Sequence, residues 1–179
     1  GSGVIGGGRS GLPHLLATAA RQSARYPLQI LVGVESLLRQ IIAEHYIDRG
    51  RLLCGANTSG FTLGEAASAI LVARTGSTPG PELALTGMGT GLEPGRDGGT
   101  RDQAVTGQGL TQALRAALAA SGIPLYDFPA LIGDLNGEHF KFKEQMMAQM
   151  RLDRAPPEGH SRRPRGYAEH WNLIEYAGE

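Results

Sequence analysis

A single cysteine, Cys54, in 179 residues excludes an intramolecular disulfide and a zinc cage built on thiolates. An excess of one charge sign is missing as well. Lys+Arg 17 against Asp+Glu 17 give a formal net charge of zero and a pI near 7.2, so no long-range field draws the chain to phosphate backbones or anionic lipid. No apolar run approaches the roughly 20 residues of a membrane span, and no basic stretch followed by an apolar one opens the chain. The expectation is a soluble, cytoplasmic protein with neither nucleic acid nor membrane as a partner. His14, His45, His139, His160 and His170 show no metal-ligand spacing, so no metal and no cofactor is expected. The glycine cluster VIGGGRSG follows no strand and lacks a Gly-Lys-Ser/Thr ending, which removes the dinucleotide and P-loop contexts.

What is present is the material of one α/β domain. Leu15, Leu16, Ala19 and Ala20 recur at helical spacing and predict a helix from about Pro13 to Arg25, stopped by Pro27. LQILVG, Leu28 to Gly33, reads as a strand buried in a sheet. Leu37, Leu38, Ile41, Ile42, His45 and Tyr46 mark one face of a second helix ending before Gly50, with His45 packed or at its rim. SAILVAR, Ser68 to Arg74, and ELALTGMG, Glu82 to Gly89, read as two strands paired across the turn-rich TGSTPGP. GMGTG, Gly87 to Gly91, is then a strand exit into the long loop Gly89 to Gly107.

A helix is predicted over Gln108 to Ala120, with Leu110, Ala113, Leu114, Ala117 and Leu118 on one face and Gly122 and Pro124 ending it. PALIGDL is the next strand, and Glu138 to Leu152 the next helix, with Phe142, Met146, Met147 and Met150 inward. In the loop Ala155 to Gly166, Arg162, Arg163 and Arg165 read as solvated rather than as an anion site. The ending EHWNLIEYAGE has no obvious last element, and a chain cut short is expected.

The decade GDLNGEHFKF, Gly133 to Phe142, puts an acid, an amide and a glycine where a strand stops and a helix begins. Open α/β folds place their chemistry at such strand ends. Asp134 and Glu138 are candidate acid/base groups there, His139 a candidate shuttle and Asn136 a candidate oxyanion donor.

Taken in order, the helix before LQILVGVESL, then GFTLGEAASAILV, then a strand, a loop, an Ala-Leu helix and the Asp134 turn resemble the thiolase-like condensing enzymes, the β-ketoacyl-acyl-carrier-protein synthases. Val32-Gly33-Val34-Glu35-Ser36 is similar to that family's Gly-Gly-x-Glu/Asp-Ser turn. Gly60-Phe61-Thr62-Leu63-Gly64-Glu65-Ala66-Ala67 is similar to its Gly-Phe-x-x-Gly-Glu-Gly-Ala motif, departing at the third glycine. The resemblance implies part of a thiolase-like layered α/β/α/β/α architecture, with the end of the N-terminal half over about 4–75 and the start of the C-terminal half over about 82–179. It also implies a homodimer and a binding role for Gly33, Phe61, Gly64 and Gly137.

On the same register the catalytic residues are replaced. The family's Asn-Ala-His-Gly-Thr turn is matched by Asp134, Leu135, Asn136, Gly137 and Glu138, so its histidine has become Asn136. Ser10 and Gly11 match the Ser-Gly after the nucleophile, leaving Gly8 where the cysteine stands, and Glu179 falls at the second histidine. Cys54 lies too far along the motif order to substitute. The expectation is a degenerate active site, in a protein that binds a partner such as an effector or an acyl carrier protein. The turn is also similar to β-ketoacyl-synthase-like proteins of unassigned activity, some encoded beside type VI secretion spike and effector genes. The alternative is an active thioester-processing enzyme using Asp134, Glu138, His139 and Asn136.

Overall fold

A computed structural model describes residues 2–6, 11–95, 103–128 and 131–152. Among these residues the architecture is mixed α/β, running α1 (Gly11–Gln22), β1 (Leu28–Ser36), α2 (Gln40–Asp48), β2 (Glu65–Ala73), α3 (Gln108–Ser121), a 3-10 turn (Leu125–Asp127) and α4 (His139–Leu152). No helix among them is long and apolar enough to cross a membrane. Two compact units form: the described residues of Gly1–Arg39 and Gly64–Leu85, and those of Gln40–Leu63 and Thr86–Glu179. The basic loop with Arg162, Arg163 and Arg165, the C-terminal EHWNLIEYAGE, and the positions Gly8, Ser10 and Glu179 lie outside the described residues.

In the first unit α1 buries Ala19 and ends in a turn in which the Tyr26 amide donates to the Gln22 carbonyl. The Gln29 side chain ties this end to the sheet, its Nε2 donating to the carbonyls of Ala19 (2.9 Å) and Tyr26 (3.1 Å). β1 pairs antiparallel with β2 in a register running from Leu28 opposite Ala73 to Ser36 opposite Glu65. The ladder ends in a Ser36 hydroxyl bond to Glu65 (2.9 Å) and a Leu37 amide bond to the Gly64 carbonyl.

This pairing corrects two expectations. β2 does not pair with Glu82–Gly89, which lies in no ladder; Glu82 instead accepts the Gly76 amide with both carboxylate oxygens, closing the TGSTPGP turn on itself. β1 is also not a buried strand, because among the described residues its sheet has only two strands. Leu31 is buried, whereas Ile30, Val32 and Val34 are exposed.

In the second unit, α2 ends where Gly50 adopts φ 60°. The Gly50 amide donates to Ile47 and the Arg51 amide to Tyr46, the paired bonds of a glycine C-cap. The predicted apolar face began at Leu37, but the helix starts at Gln40, and His45 is exposed at its rim. α3 matches the expected span within one residue and is bounded by Gly107 and Gly122, both left-handed.

The segment GMGTG continues past the expected strand exit. The missing Cβ atoms of Gly87, Gly89 and Gly91 would sit 2.2, 2.0 and 1.9 Å from the carbonyl oxygens of Ala117, Ala113 and Gly109. Every second residue of an extended chain advances about 6.6 Å and every fourth of a helix about 6 Å, so three alternate glycines track one face of α3. Only glycine permits that approach.

α4 packs on α3 with a face that keeps only Met147 of the four residues expected to point inward. Phe142, Met146 and Met150 are exposed, while Lys141, Ala148 (0 % exposed) and Gln149 are buried. At the closest contact a Cβ on Gly107 would lie 2.8 Å from the Glu144 carbonyl and 3.0 Å from Met147 Cβ, so the start of α3 has room there only for a residue without a side chain, and Met147 faces it. The predicted strand PALIGDL joins no ladder over 131–135, its first two residues being outside the described set.

Candidate functional site

GDLNGEHFKF builds a buried polar latch at the entry to α4. Gly137 takes φ 91°, and a Cβ there would stand 2.5 Å from the Gly60 carbonyl oxygen, so glycine is required on both counts. Asn136 Oδ1 accepts the Glu138 amide (3.3 Å) and the Ser59 hydroxyl accepts the His139 amide (3.2 Å), satisfying two donors that a helix start leaves open.

Glu138, 2 % exposed, sets its carboxylate against Arg51, 7 % exposed. Arg51 Nε donates to Oε1 (2.7 Å) and Nη2 to Oε2 (2.9 Å), a forked geometry that ammonium groups cannot copy. Asn136 Nδ2 adds a donor to Oε2 at 2.9 Å. The guanidinium lies 5.2 Å from the Tyr46 ring centre and 5.6 Å from those of Phe61 and Phe140, and Tyr46 meets Phe61 edge-on at 4.9 Å. Aromatic faces on several sides add cation–π attraction and keep water from the pair.

The platform under Arg51 is fixed by backbone. The Phe61 amide donates to the Arg51 carbonyl and the Leu53 amide to the Phe61 carbonyl, both at 3.0 Å, while Asn57 Nδ2 donates to the carbonyls of Gly50 and Leu52. Gly60 lies so close beneath that a Cβ would be 2.4 Å from the Leu52 carbonyl carbon.

Phe61, Asn136, Gly137 and Glu138 are thus brought together. Asp134 has a different partner, the buried Lys141, whose ammonium pairs with its exposed carboxylate. His139 is exposed, so the candidate acid/base groups face different surroundings. Gly33 and Gly64 belong to the first unit, Gly33 opposite Ser68 in the ladder and Gly64 accepting the Leu37 amide. Cys54 is exposed in a tight turn in which it exchanges backbone hydrogen bonds with Asn57. Among the described residues no three His, Cys, Asp or Glu side chains gather as a metal site.

Sequence reasoning missed Arg51, Tyr46 and Ser59, because nothing in local spacing connects an arginine after a helix C-cap to a glutamate 87 positions later. It also missed Glu93, whose carboxylate receives the amides of Thr106 (2.5 Å), Gly107 (3.2 Å) and Gly109 (2.9 Å) and the Thr106 hydroxyl (2.9 Å) at the start of α3. Burial alone would raise this carboxyl's pKa, but the donors from Thr106, Gly109 and Gly107 together outweigh it and hold it below the ordinary glutamate value. No protein-family model matches the chain, and no curated protein matches it.

Proposed function

We propose that the chain is a catalytically degenerate, thiolase-like β-ketoacyl-synthase relative of the cytoplasm that acts by binding a protein partner, an effector or an acyl carrier protein, within a homodimer. The layered thiolase-like architecture, of which this chain is one part, belongs to the same proposal. One observation carries it. Asn136, at the position where the resemblance calls for a carbonyl-polarising histidine, has both amide atoms committed to Glu138, and Glu138 is committed to Arg51. An amide fixed in this way supports the turn and supplies no imidazole for decarboxylation or thioester activation. The exposed Ile30, Val32 and Val34 of β1 support a surface covered by another chain.

The test is intact-mass spectrometry after incubation with acyl-coenzyme A and acyl-carrier-protein thioesters, with Cys54→Ala as control. The expected result is an unmodified chain and intact thioester. An acyl adduct lost in the control, or thioester turnover lost on Glu138→Gln, would replace the binding role with thioester chemistry.

A further inference from the structure

We propose that Asn136 is a site of spontaneous deamidation whose rate is held down by the Arg51–Glu138 ion pair, so that the pair guards the turn against a one-way chemical change. Asn136 is followed by glycine, the neighbour that hinders ring closure least because it has no side chain beside the attacking nitrogen. The turn cannot escape this dipeptide by changing residue 137, since its φ of 91° and its approach to the Gly60 carbonyl both demand glycine.

In the reaction the Gly137 amide nitrogen gives its proton to solvent base and attacks Asn136 Cγ. A C–N bond forms, the Cγ–Nδ2 bond breaks as Nδ2 takes a proton back from solvent, and ammonia departs, leaving a five-membered succinimide. Water then opens the ring at either carbonyl, giving aspartate or isoaspartate, so one water is consumed for each ammonia released.

The latch opposes the first step. Nδ2 is held by Glu138 Oε2 at 2.9 Å and Oδ1 by the Glu138 amide at 3.3 Å, so Cγ cannot swing toward the Gly137 nitrogen until these bonds open. Glu138 in turn is anchored by the fork of Arg51. The product reverses the sign of the contact: a carboxylate replaces a donor beside Oε2, and two like charges then face each other. The isoaspartate form also adds a backbone atom to a turn with no room above Gly60. Deamidation therefore opens the latch, and an open latch admits deamidation.

The experiment incubates the full chain at mildly alkaline pH beside a synthetic peptide, GDLNGEHFKF, and follows Asn136 by peptide mapping for conversion to aspartate and isoaspartate. Conversion in the folded chain is expected to be at least about tenfold slower than in the peptide, the factor that an opening equilibrium of one power of ten imposes. Glu138→Gln is expected to recover most of the peptide rate. Low urea concentrations added to the unaltered chain are expected to raise the rate progressively, which keeps the test decisive where that variant does not fold. Equal rates in chain and peptide, an unchanged rate in a folded Glu138→Gln chain, or a rate indifferent to urea would each overturn the proposal.

Discussion

The β1–β2 ribbon and the latch at Asn136–Glu138 distribute their side chains in opposite ways. Along the ribbon, Ile30, Val32, Val34, Ile70 and Leu71 are exposed, and the register is held by a nine-residue backbone ladder with few side-chain bonds. Among the described residues of the second unit the buried set includes the polar Arg51, Glu138, Lys141, Thr111 and Gln149 beside the apolar Phe61, Val105, Leu125 and Ala148. Backbone ladders fix which residues are opposite one another but leave the faces to whatever covers them. Buried ions fix direction, because a guanidinium fork accepts one carboxylate orientation and removing either partner strands the other. The first unit should therefore tolerate side-chain change that the second does not.

The largest contrast is expected at Arg51. Arg51→Ala leaves the Glu138 carboxylate buried without its fork, and loss of one partner of a buried pair costs about 3–5 kcal/mol. Arg51→Lys keeps the charge but not the two parallel bonds, so it should recover only part of that stability. Chemical denaturation followed by fluorescence and circular dichroism reads both. A loss for Arg51→Ala no larger than that of an exposed substitution would show that Glu138 is satisfied without it and would remove the contrast.

A second comparison uses one substitution in two places. A methyl group on Gly60 would lie 2.4 and 2.5 Å from the backbone of Leu52 and Leu53, atoms that cannot move without breaking the platform under Arg51. On Gly33 the nearest atom is the Ser68 hydroxyl at 3.5 Å, an ordinary contact. Gly60→Ala should cost about 1–3 kcal/mol or more through overpacking, whereas Gly33→Ala should be neutral or slightly stabilising, since alanine restricts the unfolded chain. Equal melting temperatures for the two variants would erase the distinction between a packed glycine and an open one.

The same contrast explains how far the sequence could be read. α3 and α4 were legible within a residue, because apolar or helix-forming runs with glycine or proline at their ends carry local signals. The position of β2 was also close, but its partner was not: a short turn favours the neighbouring run Glu82–Gly89, while the ladder forms with β1, whose last residue, Ser36, precedes Glu65 by 29 positions. The rotation of α4 was hidden because its Met and Phe stripe is conspicuous, whereas the residues it buries include Lys141 and Gln149, which carry no apolar signal. At the turn, Asn136, Gly137 and Glu138 could be singled out from their place after an apolar run. Arg51 could not, since ion pairing between distant residues leaves no periodicity.

Glu93 supplies the smallest of the three tests and asks whether the second unit depends on paired ions alone or also on carboxylates held by backbone. Its oxygens collect three amides and one hydroxyl around the start of α3, where the helix dipole favours negative charge. Glu93→Gln keeps the shape and removes the charge, for an expected cost of about 0.5–1 kcal/mol at low salt, reduced by screening at a partly exposed site. The pH dependence has a defined sign. The folded carboxyl titrates below the unfolded value of 4.5, so its stabilising contribution is complete above that value and is lost as pH falls through the lower, folded one. The stability difference between the unaltered chain and Glu93→Gln should then be constant near neutrality and shrink in the acid range. A difference that grows on acidification would mean that the folded state binds the proton more tightly, and that Glu93 is held by burial rather than by the amides of α3.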